Sequence, residues 1–279
     1  MISYSLQMRN YENTTLMYLD SVRKAEEAKK KGEPIPRILP KPPKPDPVSD
    51  LYNARIAPLM PYGLKGAIWY QGKIETWNAW LYASMLPGLI EGWRAEWGQG
   101  EFPFGYVQLA NHGSREYSQP NSIRAQFRDV QTKALETPHT GMAVAVDLGG
   151  DEQDLPRNKE DVGKRLSLWA LARVYGKNLV YSGPLYDSSA IQIDKIRVRF
   201  KNVGGGLKVN GSRLKGFKMS GDFRIFVDAD AEIDGDTVVV STRECHWPAA
   251  VRYAWEENPD CNLTNKEGLP ASPFRSDNW

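Results

Sequence analysis

The chain has 279 residues, enough for one large domain or two ordinary ones. Hydrophobic residues make up 41% and charged residues 25%, the balance of a globular protein. Thirty-six Lys plus Arg against 34 Asp plus Glu leave a net charge of only +2, which gives no basis for a nucleic-acid or membrane partner.

Residues 1–32 read as a helix: Leu16, Leu19 and Val22 lie at helical spacing, the run RKAEEAKKK follows, and Gly32 stops it. Residues 33–47 hold seven prolines, so neither helix nor sheet can form and an extended surface connector is expected. From Leu51 the pattern alternates. Strands are predicted at 67–70, 102–109 and 142–146, and helices at 80–93, 124–135 and 161–175, the last capped by Gly176. Continuous apolar strands between helices predict a parallel sheet covered on both faces. Sites in such sheets lie at the C-terminal strand ends, here the segments after Tyr70, Leu109 and Val146.

Past Tyr181 the helical spacing stops. IQIDKIRVRF at 191–200 alternates apolar with polar, and further strands are expected at 223–227, 231–233, 237–240 and 251–255. Asp234-Gly235-Asp236 is a hairpin turn. The result is a small antiparallel β unit. Gly204 to Gly206 read as a turn, because a strand rather than a helix follows them. The expected division is 1–50 (helix and proline-rich connector), 51–186 (α/β) and 187–279 (β). No apolar run reaches 18 residues, and MISYSLQMRNYENTT is too polar to be a signal peptide. Cys245 and Cys261 read as free buried thiols that pair only if neighbouring strands carry them. Nine Trp and thirteen Tyr supply flat rings that pack cores or stack on the C–H faces of pyranoses.

The stretch LYNARIAPLMPYGLKGAIWYQG from Leu51 resembles the sialate O-acetylesterase family, a branch of the SGNH hydrolases. So do GWRAEWGQGEFPFGYVQLAN (92–111), TGMAVAVDLG (140–149), PRNKEDVGKRL (156–166), VYGKNLVYSGPLY (174–186) and the run from Ala250 to Trp279. The helix and proline connector resemble an insertion found in members of the family. The resemblance implies an SGNH-hydrolase-like parallel sheet with flanking helices and a C-terminal antiparallel β domain. It implies hydrolysis of O-acetyl esters on sugars: a serine attacks the acetyl carbonyl, a histidine oriented by an aspartate takes the proton, and N–H donors hold the oxyanion. The implied partner is an acetylated sugar or polysaccharide. No cofactor or metal is required, and an extracytoplasmic location is implied.

The chain departs from the family at each catalytic block. The family's serine sits in a Gly-Gln-Ser-Asn turn, and none occurs in this sequence. The expectation is therefore a sheet lacking its first strands, with an apolar edge that promotes self-association. In the Trp-Tyr-Gln-Gly-Glu-Ser-Asn block, Trp69, Tyr70, Gln71 and Gly72 match, but Lys73 stands at the Glu position and Glu75 at the Asn position. In the Asp-x-His-Pro block, a gapless alignment puts Gln153 at the aspartate and Leu155 at the histidine. A one-residue slip keeps Asp154 as the acid without restoring a histidine.

Gln71 and Gly72 are either what remains of an oxyanion site or a polar strand terminus. Asn111 is either a pocket residue or an ordinary turn Asn, and Arg128 with Gln131 either line the pocket or form a structural bridge or cap. Asp151, Glu152 and Asp154 read as a solvated loop, since no other metal ligands occur at a recognisable spacing. Among the histidines, His139 precedes a strand at the wrong end of the sheet and His246 lies in the β unit. His112 is at the right end, but Ser114 beside it lacks a strand-to-helix elbow, so a His112–Ser114 dyad is not expected. The reading is an esterase scaffold, truncated or catalytically degraded. The alternative is a non-catalytic carbohydrate-binding or partner protein on that scaffold.

Overall fold

The computed structural model describes residues 4–45, 49–71, 79–113, 122–150 and 157–279. Two compact units divide the chain, Met1–Gly63 and Leu64–Trp279.

In the first unit, helix α1 (Tyr4–Lys31) ends at Gly32, whose φ of +68° suits a residue without a Cβ. Leu16 and Leu19, which suggested the helix, are exposed. The shielded stripe is Tyr11, Thr15, Tyr18, Val22 and Ala25, spaced by four and three residues. Asp20 pairs with both Arg23 and Lys24 on the outer side. The connector runs without helix or strand to Pro45, and its Leu39 N–H donates to Ser21 Oγ at 3.0 Å, tying it alongside α1.

The second unit opens with strand β1 (Ala67–Trp69), helix α2 (Ala79–Trp97), β2 (Phe104–Val107), α3 (Ile123–Lys133), β3 (Thr140–Ala143) and α4 (Lys159–Arg173). The three strands form a parallel sheet in the order β1-β2-β3, with Phe104 opposite both Ala67 and Thr140. Every residue of the central β2 is buried. Its period of two sorts the helices. Gly105 of β2 and its neighbour Gly141 of β3 leave a slot filled by Trp169 of α4. A Cβ there would lie 2.6 Å or 2.0 Å from the indole. On the other face Phe104 meets Trp93 of α2 at 5.9 Å, and Tyr106 Oη donates to the Gln131 carbonyl of α3 at 2.7 Å. The strand expected at 142–146 starts two residues earlier and ends at Ala143. Val144 to Val146 stay buried but leave the ladder, because the Val144 carbonyl accepts from Arg165 and a turn closes from Ala145 to Leu148.

Ten short strands follow: β4 (Leu185–Gln192), β5 (Lys195–Lys201), β6 (Leu207–Val209), β7 (Phe217–Ser220), β8 (Phe226–Asp228), β9 (Asp230–Asp234), β10 (Thr237–Ser241), β11 (Ala250–Tyr253), β12 (Leu263–Asn265) and β13 (Phe274–Arg275). They form antiparallel sheets ordered β4-β5-β10-β9 and β13-β11-β7-β8, with β12 paired to β6. The single strand read at 191–200 is in fact the turn of a hairpin with its flanks. Ile191 lies opposite Ile196, so the alternation survives a turn at Ile193 and Asp194. Residues 223–225 also turn, with the Arg224 N–H on the Gly221 carbonyl, and the strand starts only at Phe226. Gly235, with φ +59°, closes the β9–β10 hairpin as expected. The core joins Val198, Phe217, Met219, Val240, Val251, Tyr253 and Leu263. Cys245 and Cys261 are free thiols, and burial pushes the Cys261 thiol up to about 12.

Candidate functional site

The C-terminal ends of β2 and β3 rest on a polar floor built mostly from side chains of α3. Beyond Val107 the backbone of β2 has lost its ladder partner on the α3 side. There Gln131 substitutes for a strand: its Nε2 donates to the Val107 carbonyl at 3.2 Å, and its Oε1 accepts from the Leu109 N–H at 2.8 Å. Gln108, also fully buried, donates to the Arg128 carbonyl, Thr132 Oγ1 and Ser272 Oγ.

Arg128 is the centre of this floor. Its Nε donates to the Leu109 carbonyl at 2.9 Å, Nη2 to the carbonyls of Ala110 and Glu257 at 2.9 Å each, and Nη1 to that of Glu256 at 2.6 Å. No carboxylate lies within ion-pair distance of it among the described residues, and burial lowers its pKa to about 10. Arg128 therefore lies beneath the strand ends and fixes two segments 128 residues apart from it and 18 residues apart from it to one another.

Asn111 sits above it. Its Nδ2 donates to Asn258 Oδ1 at 2.7 Å, and its Oδ1 accepts from the Gly149 N–H at 2.7 Å. Gly149 approaches so closely that a Cβ would fall 1.9 Å from the Asn111 carbonyl. Asn258 Nδ2 donates in turn to the Gly113 carbonyl at 2.6 Å, and the His112 N–H donates to the Glu257 carbonyl at 3.1 Å. The Glu257 carboxylate accepts from Ser122 Oγ at 2.9 Å while Ser122 also caps α3, and Arg124 Nε is 3.3 Å from it. On the β3 side Asp147 accepts from Arg165 at 2.6 and 2.7 Å.

At β1, Gln71 is turned back on its own strand: Trp69 Nε1 donates to Gln71 Oε1 at 2.9 Å. Lys159 Nζ stands 4.5 Å above the Tyr70 ring. Thus Asn111, Arg128 and Gln131 are brought together, and Gln71 lies on the neighbouring strand end. Gly72, Lys73, Glu75, Ser114, Asp151, Glu152, Gln153, Asp154 and Leu155 lie outside the described residues. His139 is at the opposite end of the sheet, 3.5 Å from Glu101, and His246 is exposed in a loop. Among the described residues no group of His, Cys, Asp and Glu could hold a metal ion. Sequence reasoning missed Glu256, Glu257 and Asn258. They follow a β strand, and only their place within the long run from Ala250 set them apart.

The parallel α/β layer and the antiparallel β unit that braces its strand ends are shared with a solved carbohydrate acetylesterase. A solved carbohydrate acetylesterase from Xanthomonas citri matches with a TM-score of 0.78 and 42% identity, over 82% of this chain and 54% of that one. Sialate O-acetylesterase of Rattus norvegicus is 41% identical over 89% of this chain and 51% of its own length. The Homo sapiens protein of that name is 34% identical over 81% and 48%. The chain spans about half the length of the curated relatives it matches. Over that span it resembles the sialate O-acetylesterase family. No family model matches the chain.

Proposed function

We propose that this chain is part of an O-acetylesterase scaffold whose substrate is an acetylated sugar, and that the chain itself does not turn over acetyl esters at a family rate. The observation that carries the reading is the 34–42% identity, across four fifths or more of the chain, to proteins named for that chemistry. The floor supports it. Arg128 draws four carbonyl oxygens onto itself, so a buried positive charge underlies strand ends where acyl transfer develops negative charge. In this reading Gln71, Gly72, Asn111 and Arg128 are retained pocket positions, and Lys73, Glu75, Gln153 and Leu155 are degraded ones. Residues 51–186 and 187–279 are its two modules, with 1–50 an insertion.

Three requirements for turnover fail in the sequence. No Gly-Gln-Ser-Asn turn positions a nucleophile, Leu155 cannot accept a proton, and Glu75 brings a carboxylate to an oxyanion block. Loss of one triad member costs on the order of 10⁴-fold. The test is acetate release from an O-acetylated sialic acid by the purified chain, beside a Ser114→Ala, His112→Ala double variant. The expected result is no release above the uncatalysed rate from either. Robust turnover lost in the double variant would reinstate the His112–Ser114 dyad.

A second reading, non-catalytic carbohydrate binding, draws on Phe223 and Trp247, which are 91% and 80% exposed in the β unit. Self-association is proposed with it: β1 is an edge of the described sheet and its Ile68 is 69% exposed. Sedimentation velocity should show species heavier than 31.5 kDa, and a clean monomer at high concentration would refute the association.

A further inference from the structure

A cleft of about 300 Å³ opens at the N-terminal end of the sheet, away from the polar floor. Its walls include His139, Gly141, Trp169, Arg173, Tyr181 and Asn202. We propose that this cleft is a second binding site, for a small carboxylate of sugar-acid size. The proposal stands on the cleft alone and does not depend on the esterase reading.

The charge of the lining points to an anion. No Asp or Glu lines the cleft, while Arg173 does. Its guanidinium lies 5.8 Å from the centre of the Tyr181 ring and has no carboxylate within ion-pair distance among the described residues. His139, the other wall residue able to carry a positive charge, is already 3.5 Å from Glu101, so one cation remains unanswered. A single guanidinium suits a monoanion better than a doubly charged phosphate.

A second observation is independent of Arg173. Trp169 is only 4% exposed, yet its indole Nε1–H donates to no group among the described residues. The cleft wall includes this residue, so a ligand oxygen there would give the donor a partner. The nitrogen packs over Gly141, where an added Cβ would lie 2.0 Å away, so only glycine lets the indole take this place. Trp169 and Arg173 are one turn apart on α4 and so present their donors on one face. The volume exceeds what acetate fills, and the partly exposed ring of Tyr181 suits the C–H face of a pyranose.

The test is isothermal titration of the full chain with glucuronate, glucose and acetate, which separates the carboxylate from the sugar. Glucuronate should bind saturably, and glucose and acetate each at least about tenfold more weakly. Arg173→Gln should weaken glucuronate by about tenfold or more, and Arg173→Lys should restore most of the loss. Trp169→Phe, which keeps the ring and removes the donor, should weaken it several-fold, whereas Arg243→Gln, on an exposed loop of the β unit, should change nothing. Arg173 is exposed in the last helical turn, and an unchanged circular dichroism spectrum will show that its variants fold. No saturable binding by the unaltered chain would overturn the proposal. So would equal affinity for glucose or acetate, or an Arg173→Gln variant that folds and binds as before.

Discussion

In the β unit the centre is hydrocarbon: Val198, Met219, Val238, Val240, Val251 and Leu263 meet between sheets, and most backbone groups pair strand to strand. In the α/β layer the strand ends rest on amides and a guanidinium instead, with Gln108, Asn111, Arg128 and Gln131 all buried. The first arrangement is non-directional and tolerates exchange of similar shapes. The second fixes positions to within a hydrogen bond, and leaves a large penalty for any missing partner. The contrast suggests that the β unit serves as a brace, while precision is reserved for the strand ends where chemistry would occur.

Three measurements can break or sharpen that contrast. Arg128→Met should have the largest effect. It removes the donor from four carbonyls at once, of which, among the described residues, only that of Glu257 keeps another, the His112 N–H, and breaking buried charged networks costs about 3–5 kcal/mol. Urea unfolding would check it, and a cost under about 1 kcal/mol would mean the floor is not a clamp.

Asp277→Asn comes next and probes whether the β unit has a polar dependence of its own. Asp277 accepts from Arg252 at 2.8 and 2.6 Å, and that guanidinium lies 3.8 Å above the Phe226 ring. The amide retains one acceptor, so the loss should be about 2–3 kcal/mol. Equality with Arg128→Met would erase the distinction between the regions.

The smallest effect is alkaline. Burial pushes the Cys261 thiol and the Tyr82 hydroxyl up to about 12, and the hydroxyls of Tyr106 and Tyr253 well above the ordinary tyrosine value. These groups stay protonated in the folded chain while the unfolded chain loses protons. Stability is therefore fully present below about pH 9 and falls as pH rises towards 12. Arg128, lowered to about 10, acts with the opposite sign above that pH, one group against four. Cys261→Ala should flatten the fall between pH 9 and 10 by about 1 kcal/mol, checked by unfolding at stepped pH.

Much of the architecture was legible in the residues. The parallel layer followed from apolar strands between helices, and the β unit from the loss of helical spacing after Tyr181. Gly32, Gly176 and Gly235 marked their turns, because each adopts positive φ. What escaped has physical reasons. IQIDKIRVRF alternates through a two-residue turn, because an even-length turn preserves the period of two. The leucines of α1 were conspicuous by type, whereas the shielded residues include small alanines. At the site, Asn111, Arg128 and Gln131 could be named, but not what they hold. Their partners at Glu256, Glu257 and Asn258 are backbone carbonyls and an amide contributed from far along the chain, and a carbonyl has no residue-type signature.

That long reach has a temporal consequence for a chain made from its N-terminus. Arg128 leaves the ribosome well before the Glu256 and Glu257 carbonyls it will bind, 128 and 129 residues later. At about 5–20 residues per second the wait is on the order of 10 s. Over that interval a nascent α/β layer carries a cation with half its acceptors unborn, so the strand ends are the last part of the sheet to set. A pause in translation before Glu256 would lengthen the exposure, and release of the C-terminal run would end it.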